Sequence, residues 1–276
     1  MIIATKKETF RILKEHNLIA KKGYGQNFLI NPQVIQDIVE KTNITNDTLV
    51  IEIGPGLGAL TQQLLSVSNK VIAIEIDKKM VDVLKQNLEC EKLEIINEDF
   101  LKVDLNKLIE ENYIYKNFVI VSNLPYYITS DILENIISLR NNKITKIVAM
   151  MQKEVGKKLV KKEGNIESYL KVLIDNYCDT KILLYVSKND FEPRPGVDSI
   201  VLEFDLNKDM YNLQFSQLKI IRECLSNRRK TLLNTLPYDK QVIINTLNKL
   251  NLKETLRIEE ISINKILEII NDIEQI

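Results

Sequence analysis

Apolar residues along the first two hundred positions fall into short β-branched runs separated by amphipathic stretches. The run at 48–54, Thr-Leu-Val-Ile-Glu-Ile-Gly, ends in glycines and predicts a buried strand. Leu60, Leu64 and Leu65 then recur at helical spacing, and Lys-Val-Ile-Ala-Ile-Glu at 70–75 predicts a second strand. A helical stretch through Met80, Val83, Leu84 and Leu88 leads to a third strand at 93–97. A fourth follows at 117–122 and a fifth at 146–151. Two further β-rich runs, 181–187 and 197–204, flank Phe191-Glu-Pro-Arg-Pro195. Strands alternating with helices predict β-α-β units and a mainly parallel sheet. Right-handed crossovers make a doubly wound, Rossmann-like α/β architecture the expected fold. After about residue 207 the strand pattern stops, and Leu218, Ile221, Leu225, Leu232 and Leu236 begin a helical period that runs to the C-terminus. Two domains are therefore expected, 1–207 and a small all-helical 208–276. No repeat or low-complexity segment interrupts them.

Composition narrows the function classes. At 276 residues, 45% hydrophobic and 28% charged, the chain has the make-up of a soluble globular protein with a sizeable core. No apolar stretch approaches the roughly 20 residues of a membrane span. The N-terminus enters a helix capping box, Thr5-Lys-Lys-Glu8, where a signal peptide would carry its apolar core. Cys90, Cys178 and Cys224 form no C-x-x-C pair and read as reduced core thiols, so a cytoplasmic location is expected. Net charge is zero, yet basic residues cluster at Lys21-Lys22, in a run of five lysines over 153–162, and at Arg228-Arg229-Lys230. Each cluster alone is more simply a solvated helix face; together they keep an RNA partner open. His16 reads as a surface residue, and no set of side chains has metal-ligand spacing, so no metal is expected.

Candidate chemistry gathers at the predicted carboxyl ends of the strands, where ligands bind in such sheets. Glu52-Ile-Gly-Pro-Gly-Leu-Gly58 permits a tight turn and close approach of a ligand to the backbone. The pattern Gly54-x-Gly56-x-x-Ala59, with Glu75 downstream, also satisfies a permissive dinucleotide fingerprint, which makes an NAD-dependent oxidoreductase a competitor. Glu75 suits a ribose, because one carboxylate accepts hydrogen bonds from two hydroxyls. Asp99 suits an adenine amino group. A ribose-and-adenine ligand without a Walker-type lysine loop points to S-adenosylmethionine.

The fourth strand delivers Asn123-Leu-Pro-Tyr126 beside that ligand. An exocyclic amine on a planar ring is a poor nucleophile because its lone pair is delocalised. Two acceptors, the Asn123 side-chain oxygen and a main-chain carbonyl held by Pro125, can take both N–H groups and steer the lone pair toward a methyl donor. Tyr126 can stack on the base. No general base is required, and proximity carries most of the rate.

With these motifs the chain resembles the KsgA/RsmA type of ribosomal RNA adenine N6-dimethyltransferases, class I methyltransferases that use S-adenosylmethionine. Gly25-Gln-Asn-Phe-Leu29, the glycine loop, Asn123-Leu-Pro-Tyr126, Gln152-Lys-Glu-Val155, Phe191-x-Pro-x-Pro195-x-Val-Asp-Ser199 and Arg228-Arg-Lys-Thr231 stand in the family's order. The resemblance implies that Asn27, Leu29, Gly54, Glu75, Asp99 and Asn123 bind the cofactor. It implies that Asn123, Leu124, Pro125 and Tyr126 form the catalytic motif and that Phe191 closes the other face of the target base. Arg228, Arg229 and Lys230 are the expected RNA contacts. The implied substrate is a pair of adjacent adenosines in the 3′-terminal hairpin loop of 16S rRNA, within the 30S subunit or its precursor, acted on by a monomer. Ser122, Tyr127 and Gly196 stand where the family usually has glycine, asparagine and lysine. Two alternatives remain: a resistance-type 23S rRNA adenine methyltransferase, and an rRNA-binding assembly factor that does not require catalysis.

Overall fold

The computed structural model describes residues 2–21, 23, 25–45, 47–161, 164–206 and 209–275. Lys22 and Lys162 of the basic clusters lie outside the described residues, as do both residues of the expected 207/208 boundary. The chain divides into two compact units, Met1–Val160 with Asp179–Asn207, and Lys161–Cys178 with Lys208–Ile276.

The first unit runs α1 (Lys6–Glu15), β1 (Phe28–Leu29), α2 (Pro32–Thr42), β2 (Thr48–Ile53), α3 (Ala59–Val67), β3 (Lys70–Ile74), α4 (Lys78–Asn87), β4 (Leu93–Ile96), α5 (Leu105–Glu111), β5 (Asn117–Asn123), α6 (Thr129–Ser138), β6 (Ile144–Gln152) and α7 (Lys153–Val160). After an excursion into the second unit it resumes with β7 (Asp179–Val186), β8 (Phe191–Glu192) and β9 (Ser199–Asp205). A seven-stranded sheet has the order β4-β3-β2-β5-β6-β9-β7. The pairs among its first five strands are parallel, whereas β9 pairs antiparallel with both β6 and β7. The expected mainly parallel, doubly wound sheet is thus present. Strand order reverses between β2 and β5, the position where open α/β sheets open a crevice. β2 is buried along its whole length, as its unbroken β-branched run requires. A separate two-stranded ladder joins β1 to β8, a pairing of residues far apart in sequence.

Local chemistry sets the element boundaries. Thr5 caps α1 by accepting the Glu8 N–H at 3.2 Å, while the Glu8 carboxylate takes Arg11 Nε at 2.7 Å. Asn31 caps α2 ahead of Pro32, and Asp77 caps α4. In β9 the buried Glu203 stands between Lys181 Nζ at 2.8 Å and Lys146 Nζ at 3.3 Å, with Lys146 also donating to the Thr42 carbonyl. Removing either lysine leaves a buried carboxylate less well compensated. Of the three cysteines, Cys178 and Cys224 are buried as expected; Cys90, just past α4, is exposed.

The second unit consists of α8 (Tyr169–Tyr177), which precedes the return of the chain to the first unit, and of α9 (Phe215–Ser226), α10 (Lys240–Lys249) and α11 (Ile263–Glu274). α11 buries a stripe of isoleucines at 263, 266, 269, 270 and 273. The division differs from the expected one in that 161–178 joins the helices. Ile166 N–H donates to the Ile261 carbonyl at 2.9 Å, and the fully buried Asn176 side chain bonds Asp209 and the Tyr211 N–H. Periodicity identifies an amphipathic helix but not the partner it packs against. No described helix is long and apolar enough to cross a membrane.

Gly156 lies where α7 meets β9, and a Cβ there would fall 2.3 Å from Ile200 Cγ2. Alanine normally gains up to about 1 kcal/mol over glycine within a helix, whereas overpacking costs about 1–3 kcal/mol. Ile200 is fully buried and has no room to retreat, so the clash dominates. Gly156→Ala is expected to lower the urea midpoint; an unchanged or raised midpoint would show that α7 can lift off β9.

Candidate active site

The crevice at the strand reversal holds a cavity of about 200 Å³. Its floor is the turn leaving β2. Gly54 and Gly56 have φ of +66° and +57°, the left-handed region that side chains avoid. A Cβ on Gly56 would also press on the Phe28 ring at 3.2 Å. The Gly54 N–H donates to the Ile74 carbonyl at 2.9 Å, holding the turn against the end of β3.

Glu75 follows β3 directly and lines the cavity. Its Oε1 accepts the Asp77 N–H at 2.8 Å and its Oε2 the Gly56 N–H at 3.2 Å. Burial raises its pKa, and these main-chain bonds offset only part of that rise. The carboxylate is locked in place, and each oxygen keeps further lone-pair capacity for a ligand. Glu52 lies deeper, 1% exposed, with Oε2 lacking a hydrogen-bond partner. Burial pushes its pKa up to about 8; the nearby Thr61 hydroxyl lowers it somewhat, and the Glu75 charge adds to the rise. Thr61 has no hydrogen bond of good geometry, so its relief of Glu52 is partial.

Asp77 was missed by the sequence reading. It is buried, pairs with Lys21 Nζ at 2.9 Å and accepts Gln26 Nε2 at 3.2 Å, while Gln26 Oε1 accepts the Lys21 N–H. Burial alone would raise the Asp77 carboxyl, but the Lys21 and Gln26 contacts outweigh it and its pKa falls below the usual range. This cluster ties the segment before β1 to the rim. Asp99 lines the cavity with one oxygen used to cap the Leu101 N–H at 3.1 Å. Ile76 and Leu101, also missed, line the cavity as partly exposed apolar side chains. Their only signal is position, one residue after Glu75 and two after Asp99.

Asn123 ends β5 and lines the same cavity. Its Nδ2 donates to the Asn27 carbonyl at 3.1 Å, and Asn27 Nδ2 donates in turn to the Gly25 carbonyl at 3.0 Å. That orientation leaves Asn123 Oδ1 as the acceptor. The next turn is closed through the Pro125 carbonyl, which accepts the Ile128 N–H at 3.2 Å and Thr129 Oγ1 at 3.0 Å. Leu124 is buried, with its N–H donating to the Met150 carbonyl at 3.0 Å. Leu29 is buried at the cavity wall. Tyr126 is half-buried, its hydroxyl 2.8 Å from Ser199 Oγ, and burial raises its pKa above the ordinary value. It stays a neutral phenol near pH 7. Of the two tyrosines it is Tyr127, 55% exposed and packed by Gly25, that lines the cavity.

Two expected participants lie elsewhere. Phe191 is 2% exposed and belongs to the apolar core, since β8 pairs it with Leu29. In this structure the ring offers no open face to a base, a correction to the expected stacking surface. Arg228, Arg229 and Lys230 form an exposed basic turn after α9, beside Glu259 in the second unit. No group of three or more His, Cys, Asp or Glu among the described residues is arranged to hold a metal.

Comparison with known proteins follows the same lines. Residues 17–275 match the family model described as ribosomal RNA adenine dimethylase. The chain is 35% identical to a ribosomal RNA small subunit methyltransferase A from Lachnoclostridium phytofermentans, over 98% of this chain and 97% of the relative. It is 38% identical to the protein of that name from Mycoplasma capricolum, over 91% of this chain and 97% of the relative. A crystal structure of a dimethyladenosine transferase from Plasmodium falciparum superposes with a TM-score of 0.68 at 25% identity, over 90% of this chain and 97% of that one. A carboxamide acceptor at the end of β5, beside a glycine turn and a locked acid, is thus found in a chain that belongs to the ribosomal RNA adenine dimethylase family.

Proposed function

We propose that the protein uses S-adenosylmethionine to dimethylate N6 of two adjacent adenosines in the 3′-terminal hairpin loop of 16S rRNA, within the small ribosomal subunit or its precursor. The reading places it in the cytoplasm with assembling subunits. The observation that carries it is the orientation of Asn123: its Nδ2 is tied to the Asn27 carbonyl, so its Oδ1 is left to accept from an amine. The names of the relatives favour the small subunit over the large one.

The residues fit the cofactor. Glu75, held at both oxygens, takes the ribose hydroxyls; the free oxygen of Asp99 takes an adenine amino group; Ile76 and Leu101 supply apolar contact for the ring. The unpartnered Oε2 of Glu52 marks a buried polar site beneath the glycine turn. When bound, the cofactor supplies an electrophilic methyl group. The protein's own task is to make a weak nucleophile available. Asn123 Oδ1 accepts one N6 hydrogen, and the Leu124 carbonyl, fixed by the following proline, accepts the other, since the turn's own bonds go to the Pro125 carbonyl. This pulls the lone pair out of conjugation with the ring. Tyr126, neutral and half-buried, stacks on the base. Orientation and proximity supply the rate, and the cationic product loses its proton to solvent. Loop adenines are the economical target, because they are already partly unstacked. Arg228, Arg229 and Lys230 supply phosphate contacts that the zero net charge of the whole chain does not.

Incubation with labelled S-adenosylmethionine and unmethylated 30S or 50S particles tests the assignment. Dimethyladenosine is expected on 16S rRNA, located by mass spectrometry; label confined to 23S rRNA would reverse it. For the clamp, Tyr126→Ala should slow single-turnover methylation about 10- to 100-fold, the scale of losing one base–aromatic stack, with cofactor affinity unchanged. Tyr126→Phe keeps the ring and should retain substantial activity. A Phe variant as inactive as the Ala variant would mean that the hydroxyl, and not the ring, carries the role.

Glu52 generates a pH prediction. Its folded pKa of about 8 lies above the ordinary 4.5, so the folded state holds a proton that the unfolded state releases between those values. Stability from this group is therefore full at low pH and declines as pH rises from about 4.5 to 8. Glu52→Gln keeps the neutral shape and should remove this component, giving a flatter melting temperature between pH 5 and 8. Parallel profiles for the two proteins would show that Glu52 is already ionised in the fold.

A further inference from the structure

Tyr126 and Ser199 are 73 residues apart in sequence, yet their hydroxyls meet at 2.8 Å. We propose that Ser199 is a positioning residue for methyl transfer, orienting the Tyr126 ring against the target base through this hydrogen bond. The inference rests on the stacking role given to Tyr126 above.

The two ends of the bond differ in rigidity. Ser199 opens β9 and is fully buried. Its backbone sits in two ladders at once, opposite Gln152 of β6 and Val186 of β7. The residue before it is fastened as well. The Asp198 carbonyl accepts the Lys153 N–H at 3.0 Å, its Oδ1 accepts the Lys188 N–H at 3.1 Å, and its Oδ2 stands 3.6 Å from Lys153 Nζ. Tyr126, by contrast, lies in the turn between β5 and α6, beyond the last ladder pair of β5. Its ring has two soft torsions, and a bond at the far end of the ring constrains both.

A stacking ring does not need a hydroxyl for its contact with the base. Orientation gives the hydroxyl a use, and burial makes the bond hard to exchange. With Ser199 fully enclosed, water has no ready access to replace the phenol, and a buried hydroxyl left unpaired is costly. The same geometry accounts for Gln152-Lys153 and Val197-Asp198-Ser199 occurring together in this chain: the first pair helps to hold the anchor, and the second supplies it.

The test is a double-mutant cycle on the full chain with Ser199→Ala, Tyr126→Phe and the combined variant. Single-turnover methylation of unmethylated 30S subunits at saturating S-adenosylmethionine is measured beside cofactor affinity and melting temperature. Each single change should slow the transfer step about 3- to 5-fold, within the scale of one neutral hydrogen bond and well short of the loss expected for Tyr126→Ala, with cofactor affinity unchanged. The double variant should be no slower than the slower single one, since both changes delete the same bond. If the pair merely satisfies two buried hydroxyls, Ser199→Ala will melt earlier yet transfer methyl at the wild-type rate, and the inference fails. Multiplying losses in the double variant also overturn it. Should Ser199→Ala not fold, Tyr126→Phe alone decides, because it leaves Ser199 in place: a wild-type rate refutes the inference. Failure of the underlying reading looks different. Tyr126→Ala at the wild-type rate removes the stacking role, whereas a crippled Tyr126→Ala beside an unaffected Ser199→Ala removes only the anchor.

Discussion

The hydroxyl of Ser122 donates to the Ile53 carbonyl at 2.6 Å, across the ends of β2 and β5. These strands pair in parallel from Thr48 with Asn117 to Ile53 with Ser122, so their carboxyl ends leave the sheet at one level. Everything in the site depends on that coincidence. Gly54 follows one strand end and Asn123 closes the other, which sets the floor of the cavity beside the carboxamide. A slip of one residue would displace Asn123 by roughly 3.3 Å and send its side chain to the opposite face. Ser122 is buried, so its bond fastens the last pair of the ladder where fraying would be most damaging. The serine adds a link that a glycine at this position could not make.

Much of this was legible in the sequence. β2, β3 and β5 stood out because parallel strands buried on both faces read as continuous apolar runs. The glycine turn, Glu75, Asp99 and Asn123 were legible because chemistry at strand ends follows from topology. What escaped was set by contacts between distant residues. The insertion of β9 between β6 and β7 leaves no periodic trace, nor does the two-residue ladder of β1 with β8. Lys21 and Asp77, and likewise Tyr126 and Ser199, pair across long stretches of chain. The family resemblance implied a stacking role for Phe191, but pairing with Leu29 buries it. Residues 161–178 fell inside the expected first domain because that boundary followed the end of the strand pattern, and α8 precedes the last strands.

The buried carboxyls at the cavity and its rim differ in how far they are compensated. Asp77 has a cation within reach and its pKa is lowered; Glu75 has only N–H partners and burial raises its pKa; Glu52 has an oxygen with no partner and burial pushes its pKa up to about 8. The unpartnered Glu52 oxygen favours a ligand that brings a hydrogen-bond donor or positive charge beneath the glycine turn. It also means that the apo protein carries an electrostatic cost that a suitable ligand relieves.

The order in which the chain is made bears on the insertion of β9. Residues lining the cavity fall between Ile3 and Ile132, so the ligand pocket can be specified by the first half of the polypeptide. The anchor for Tyr126 arrives only with Ser199, and β7 has no ladder partner until β9 emerges. A ribosome that has not yet reached Ser199 would carry every residue that lines the pocket while the neighbouring Tyr126 still lacks its hydroxyl partner. A chain interrupted between α8 and β9 would retain the cavity-lining residues and lose the part that aims the ring. The residues that line the pocket and the serine that meets Tyr126 are written into separate stretches of one gene, and the serine is added last.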